Sequence, residues 1–124
     1  MARKAIVGIT DWGATKASLR RLASNLDARK KVAAADYHLG FADAAELMTE
    51  LSPARTELLR VLKTAGPMSI YALAKRLERA YSNVHGDVGR LMRHGLIERD
   101  RSGQVFVPWA DIVIRVDASL VKAA

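Results

Sequence analysis

Apolar residues recur at helical spacing through the middle of the chain. The first stripe is Leu58, Val61, Leu62 and Ala65, the second Ile70, Leu73, Ala74 and Leu77, and the third Val84, Val88, Leu91 and Met92. Steps of three and four place each set on one side of a helix. The punctuation agrees with three separate helices. Ser52 stands at a cap position with Pro53 in the first turn, where its missing N–H costs nothing, and Gly66–Pro67 closes that helix. Ser69 is placed to cap the second helix and Ser82 the third, which runs to His94 before Gly95 ends it. Leu96–Glu98 and Val105–Val107 are then extended arms around a turn at Asp100–Gly103, with Pro108 as the stop.

The flanks read differently. Ala5–Thr10 (AIVGIT) and Ile112–Asp117 (IVIRVD) are β-prone, and the alternation of Ile112, Ile114 and Val116 predicts one buried face. Between them, Trp12–Ala28 carries Leu19, Leu22, Ala23 and Leu26 in helical phase, followed by Arg29, Lys30 and Lys31, a solvated helix end favoured by the macrodipole. Ala34–Phe41 has no helical period and reads as an extended connector or short strand. Asp43 with Glu46 three residues on makes the acidic variant of a capping box, opening a helix through Leu51.

Two short helices a few residues apart, then a charged hairpin, is the order of a winged helix-turn-helix. The expected class is mainly α with a small β component (α+β). It divides into an N-terminal strand and helices over 1–51, a winged helix-turn-helix over 52–110 and a C-terminal strand and tail over 111–124. With Val84, Val88 and Leu91 facing the core, Ser82, Asn83, Gly86, Asp87, Arg90 and Arg93 face outward, with His85 beside them. In this arrangement helix 82–94 enters a major groove and hairpin 99–104 meets the backbone or minor groove.

Each candidate residue has its chemistry. Ser82 and Asn83 lie where such a helix reads base edges, and asparagine pairs bidentately with adenine. Arg90 and Arg93, further along, suit phosphate, as does Arg101 at the hairpin tip, ranked above Arg99. Lys75 and Arg76, with Ser69 at that helix's start, complete the set. Gly86 and Gly89 stand out, since glycine costs a helix interior roughly 1 kcal/mol relative to alanine. An exposed glycine lets another backbone approach closely; a marginal helix is the other reading.

Charge sharpens the picture. The chain of 124 residues has net charge +7, and residues 53–110 hold ten basic and five acidic residues. An anionic partner is expected, with double-stranded DNA ahead of a membrane surface. No apolar run approaches the roughly 20 residues of a spanning helix, and the opening segment is too short for a signal peptide, so a cytoplasmic location is expected. The absence of cysteine rules out disulfides and thiolate metal sites. His38, His85 and His94 have no ligand partner at metal-binding spacing, and Asp36–Tyr37–His38 suits a hydrogen-bonded connector better than a catalyst. No enzyme, metal or cofactor is expected.

The segment LSPARTELLRVLKTAGPMSIYALAKRLERAYSNVHGDVGRLMRHGLIERD, followed by SGQVFVPW, resembles the winged helix-turn-helix domains of MarR-like bacterial and archaeal transcription regulators. Over nearly its whole length the chain is similar to a group of small regulator-like proteins carrying DYHLGF, SIYALAKRL, YSNVHGDV and GLIERD in this order. The resemblance implies sequence-specific DNA binding by a dimeric repressor or autoregulator, in some relatives as the antitoxin partner of a neighbouring toxin. Gly86 departs from the pattern, since an arginine often stands there on the exposed recognition face. The alternative is a winged-helix protein-interaction module, for example an antitoxin binding its toxin, with little DNA affinity. A palindromic site needs two copies about one DNA turn apart, ~34–36 Å. The 12–28 helix and the terminal strands are the surfaces for that homodimer, or else they complete the core of one chain.

Overall fold

A computed structural model describes residues 3–9 and 36–116. The expected 12–28 helix and the basic cluster at 29–31 lie outside the described residues. Those described form a small α+β protein with four helices, falling into two compact units divided before Glu50 and after Trp109.

The first unit is built on a sheet of three strands, β1 (Lys4–Ile9), β2 (Tyr37–Phe41) and β5 (Asp111–Arg115), in the order β2-β1-β5 with both pairings parallel. The first and last strand-prone segments thus lie side by side, and Ala34–Phe41, read as a connector or strand, supplies the third. Val7 sits opposite Leu39 on one side and Ile114 on the other. The start of the sheet is fixed by the Lys4 N–H donating to Asp36 Oδ1 at 3.0 Å and the Ala110 N–H donating to the Arg3 carbonyl at 2.8 Å. Gly8 is required by close approach, because a Cβ there would lie 2.9 Å from the Arg115 carbonyl oxygen. Ala5, Val7, Phe41 and Leu47 are buried. The buried face expected for Ile112–Asp117 is not found: Ile114 is 44% and Val116, just past β5, 45% exposed, because among the described strands β5 lies at the edge and its inner neighbour β1 holds the buried positions.

Helix α1 (Ala44–Glu50) opens on the expected acidic capping box. Asp43 Oδ1 accepts from the Glu46 N–H at 2.8 Å, and Glu46 reaches back one residue further than the usual pattern, to the Ala42 N–H at 3.0 Å.

The second unit, Glu50–Trp109, contains α2 (Pro53–Ala65), α3 (Ile70–Leu77), α4 (Tyr81–Arg93) and a hairpin of β3 (Glu98–Arg99) and β4 (Val105–Phe106). Ser52 and Ser69 cap α2 and α3 as expected, accepting from the Arg55 and Ala72 backbone N–H groups. The third expected cap is corrected: α4 begins at Tyr81, its cap residue is Ala80, and no side chain caps it. Ser82 therefore lies inside the first turn. Chain geometry explains the shift. Glu78 takes a left-handed conformation (φ 55°), so the Arg79 N–H returns to the Ala74 carbonyl, leaving only residues 78–80 between α3 and α4.

Helix α4 ends in a Schellman motif, the Leu96 N–H bonding to the Leu91 carbonyl and the Gly95 N–H to that of Met92. Gly95 supplies the positive φ of 78° that this motif needs. The Trp109 indole N–H donates to the Gly95 carbonyl at 2.9 Å, tying the end of the hairpin to the end of α4. Met68 adds a short antiparallel bridge to Val105, with mutual bonds of 3.2 and 2.8 Å, which pins the hairpin to the entry of α3.

The core of this unit is Leu58 and Leu62 of α2, Leu73 of α3, Val84, Val88 and Leu91 of α4, with Leu96, Ile97 and Val105. Two expected stripes are rotated. In α2 Leu59 is buried and Ala65 exposed, and in α4 Met92 is only half-buried.

Candidate nucleic-acid interface

Three structural units carry the candidate residues: the outer face of α3, the outer face of α4 and the tip of the hairpin. On α3, Lys75 and Arg76 are exposed, and the Lys75 ammonium lies 5.0 Å from the centre of the Tyr71 ring, a cation–π distance. Ser69 is exposed, but its hydroxyl oxygen accepts the Ala72 N–H at 3.0 Å, so it acts as a cap. On α4, Ser82, Asn83, His85, Gly86 and Arg93 are all exposed. A Cβ added at Gly86 or Gly89 would meet nothing within 4 Å, so neither glycine is demanded by packing in the free protein.

The hairpin tip is organised by one carboxylate. Asp100 Oδ1 accepts from the Ser102 hydroxyl at 2.6 Å, the Ser102 N–H at 2.9 Å and the Gln104 N–H at 3.0 Å. The Ser102 hydroxyl first, then the surrounding backbone N–H groups, holds the Asp100 carboxyl below its ordinary value. Arg101 is presented, exposed, from this closed turn.

The outward assignment of Asp87 on α4 is corrected, whereas Arg90 keeps 43% of its side chain exposed. Asp87 has only 13% of its side chain exposed and sits between two guanidinium groups, accepting from Arg55 Nε at 3.0 Å and from an Arg79 terminal nitrogen at 2.7 Å. It turns inward because it borders the buried Val84–Val88–Leu91 stripe, and Arg55 and Arg79 meet it there. Arg90 is also engaged: Glu50 Oε2 lies 3.2 Å from it and 3.4 Å from Arg55, while Glu50 Oε1 lies 3.6 Å from His94 Nε2. The Arg55 guanidinium also donates to the Glu50 carbonyl at 3.1 Å. Glu50 and Asp87 thus bridge the end of α1, the start of α2, the α3–α4 turn and one flank of α4.

The residues of this network were missed as a group because its links join distant positions, Arg55 to Asp87 and Glu50 to Arg90 and His94, all more than 30 residues apart. The one local signal was the place of Asp87 beside Val88. By contrast, Lys75, Arg76, Arg93 and Arg101 make no ion pair with a described carboxylate, and they lie on α3, the end of α4 and the hairpin tip. Among the described residues there is no cluster able to hold a metal ion and no helix long and apolar enough to cross a membrane.

No curated protein and no solved structure matches the chain. A family model does: the family designated HVO_A0114 matches residues 50–114, from the first residue of the helical unit into β5. Since that match covers more than half of the 124 residues, the chain belongs to the HVO_A0114 family.

Proposed function

We propose that the Glu50–Trp109 unit is a winged helix-turn-helix that binds double-stranded DNA, with α4 in the major groove and the β3–β4 hairpin as the wing. The observation that carries this reading is the pairing of form and charge. Two helices separated by residues 78–80 lead into an antiparallel hairpin, and cations that make no ion pair among the described residues flank an α4 face of small and polar residues. Arg93 and Arg101 serve as phosphate contacts, with Lys75 and Arg76 bracing the backbone from α3. Asn83 and Ser82, freed from capping, lie in the turn of α4 where base edges are read.

Regulation of transcription follows as the role of such a module, working as a homodimer so that two copies of α4 meet two half-sites. Among the described strands β2 and β5 lie at the edges of the parallel sheet and are offered for that pairing, and the apolar side chains of Ile114 and Val116 are exposed on or beside the latter.

The test is a titration of the full chain against a duplex from its own upstream region over a range of salt. Log K should fall steeply with log salt, and Arg93→Ala or Arg101→Ala should each flatten the slope by about one unit on every sequence. Absence of binding, or a flat salt dependence, refutes the DNA reading and leaves the same surface to a protein partner.

A further inference from the structure

Two aromatic side chains are prominently exposed on the helical unit, Tyr71 at 59% and Tyr81 at 50%. Tyr71 is engaged by Lys75 on the bracing helix. Tyr81 is placed differently: it is the first residue of α4, and its ring packs against that of His85 one turn on, centroids 5.7 Å apart at 41°. The cap residue is Ala80, so Tyr81 is not needed to start the helix, and its hydroxyl makes no hydrogen bond among the described residues. Side chains on a helix lean toward its N-terminus, which carries the Tyr81 ring beyond the first turn. One residue past His85, Gly86 leaves the centre of the exposed face without a side chain.

We infer that Tyr81 and His85 form the base-reading element of α4, in place of the missing side chain at Gly86; the inference rests on the DNA-binding reading above. The chemistry fits the major groove. A tyrosine ring makes apolar contact with a thymine methyl, its hydroxyl donates to a purine N7 or a carbonyl oxygen, and a histidine nitrogen donates or accepts beside it. Packing of one ring on the other fixes both before binding, so less rotamer freedom is lost on contact. Gly86 lets α4 settle deep enough for residues of its first turn to reach base edges.

A purely structural role makes the opposite forecast. An aromatic pair at i, i+4 steadies a helix slightly, so its removal would lower stability and leave base preference untouched.

The experiment selects duplexes from a library with a randomised core using the full chain, then repeats the selection with Tyr81→Ala, Tyr81→Phe and His85→Ala. The wild-type protein should enrich a motif. Tyr81→Ala should lose preference at one or two adjacent positions, with discrimination there weakened about tenfold. It should keep the rest of the motif and the same salt slope, since tyrosine carries no charge. Tyr81→Phe should keep any thymine preference and lose only what the hydroxyl reads. Identical motifs for the wild type, Tyr81→Ala and His85→Ala, each confirmed folded by thermal melting, overturn this inference alone. If the wild type enriches no motif, sequence-specific binding itself fails, and with it this inference.

Discussion

Gly86 gives the sharpest contrast between what the fold wants and what the proposed function wants. It lies in the interior of α4, where an added Cβ would meet nothing within 4 Å. Gly86→Ala should therefore gain the full difference in helix propensity, about 0.5–1 kcal/mol, mostly by restricting the unfolded chain. For a unit of about 60 residues, 1 kcal/mol moves the melting temperature by roughly 4–8 °C, so the variant should melt a few degrees higher. DNA binding should move the other way. If α4 settles against the duplex at Gly86, the new methyl holds the helix off by a fraction of its own size and loosens the contacts beside it. The expected loss is about tenfold in affinity, or roughly 1.4 kcal/mol. Melting by circular dichroism and anisotropy titration of one labelled duplex, at fixed salt, measure both effects on the same sample. A variant that is more stable and binds equally well refutes the close approach. A variant that is less stable refutes the open position of Gly86 in the free helix. Gly89, half-exposed and equally free of neighbours, serves as the internal comparison one turn along.

Two further outcomes test the parts that hold the face in place. Asp87→Ala removes two charge-assisted hydrogen bonds and leaves Arg55 and Arg79, with 17% and 29% of their side chains exposed, facing each other without their shared anion. The unit should lose about 2–4 kcal/mol, read as an earlier denaturant midpoint with unchanged slope; a loss under about 0.5 kcal/mol would show that the network does not hold α4. At the hairpin tip, the Asp100 carboxyl titrates below its ordinary value because its charged form accepts the Ser102 hydroxyl and backbone N–H groups. Its contribution is thus complete above the ordinary aspartate value of about 3.9 and fades as pH falls through the lower folded value. The amide resonances of Ser102 and Gln104 should report a midpoint below that ordinary value, and one at or above it refutes the assignment.

Local signals carried most of the helical unit, and their failures share a cause. Ser52, Ser69, Asp43 and Gly95 were legible because caps and left-handed ends are decided within a few residues. The start of α4 was not, because it depends on the left-handed turn at Glu78, a residue type that does not advertise that conformation. Parallel pairing of β1 with β2 and β5 was also out of reach, since register between distant strands leaves no mark on either one. For the same reason the exposed side chains of β5 were read as buried: alternation shows that a strand has two faces, and only the neighbours decide which is covered.

The charged network changes the electrostatic reading of the candidate interface. From the sequence, Arg90 and Arg93 both read as phosphate contacts on the outer face of α4. In the folded protein Glu50 and Asp87 draw Arg55, Arg79 and Arg90 into pairs, and among the described residues Arg93 at the end of α4, Lys75 and Arg76 on α3, and Arg99 and Arg101 in the hairpin are exposed with no ion pair, as is Lys63 on α2. The exposed first half of α4 is then nearly uncharged, consisting of Tyr81, Ser82, Asn83, His85 and Gly86. Under the proposed DNA-binding function, cations at the rim with hydrogen-bonding and aromatic groups between them would separate positioning from reading. That separation is why salt slope and sequence preference should respond to different substitutions, Arg93 and Arg101 governing the first and Tyr81, Asn83 and His85 the second.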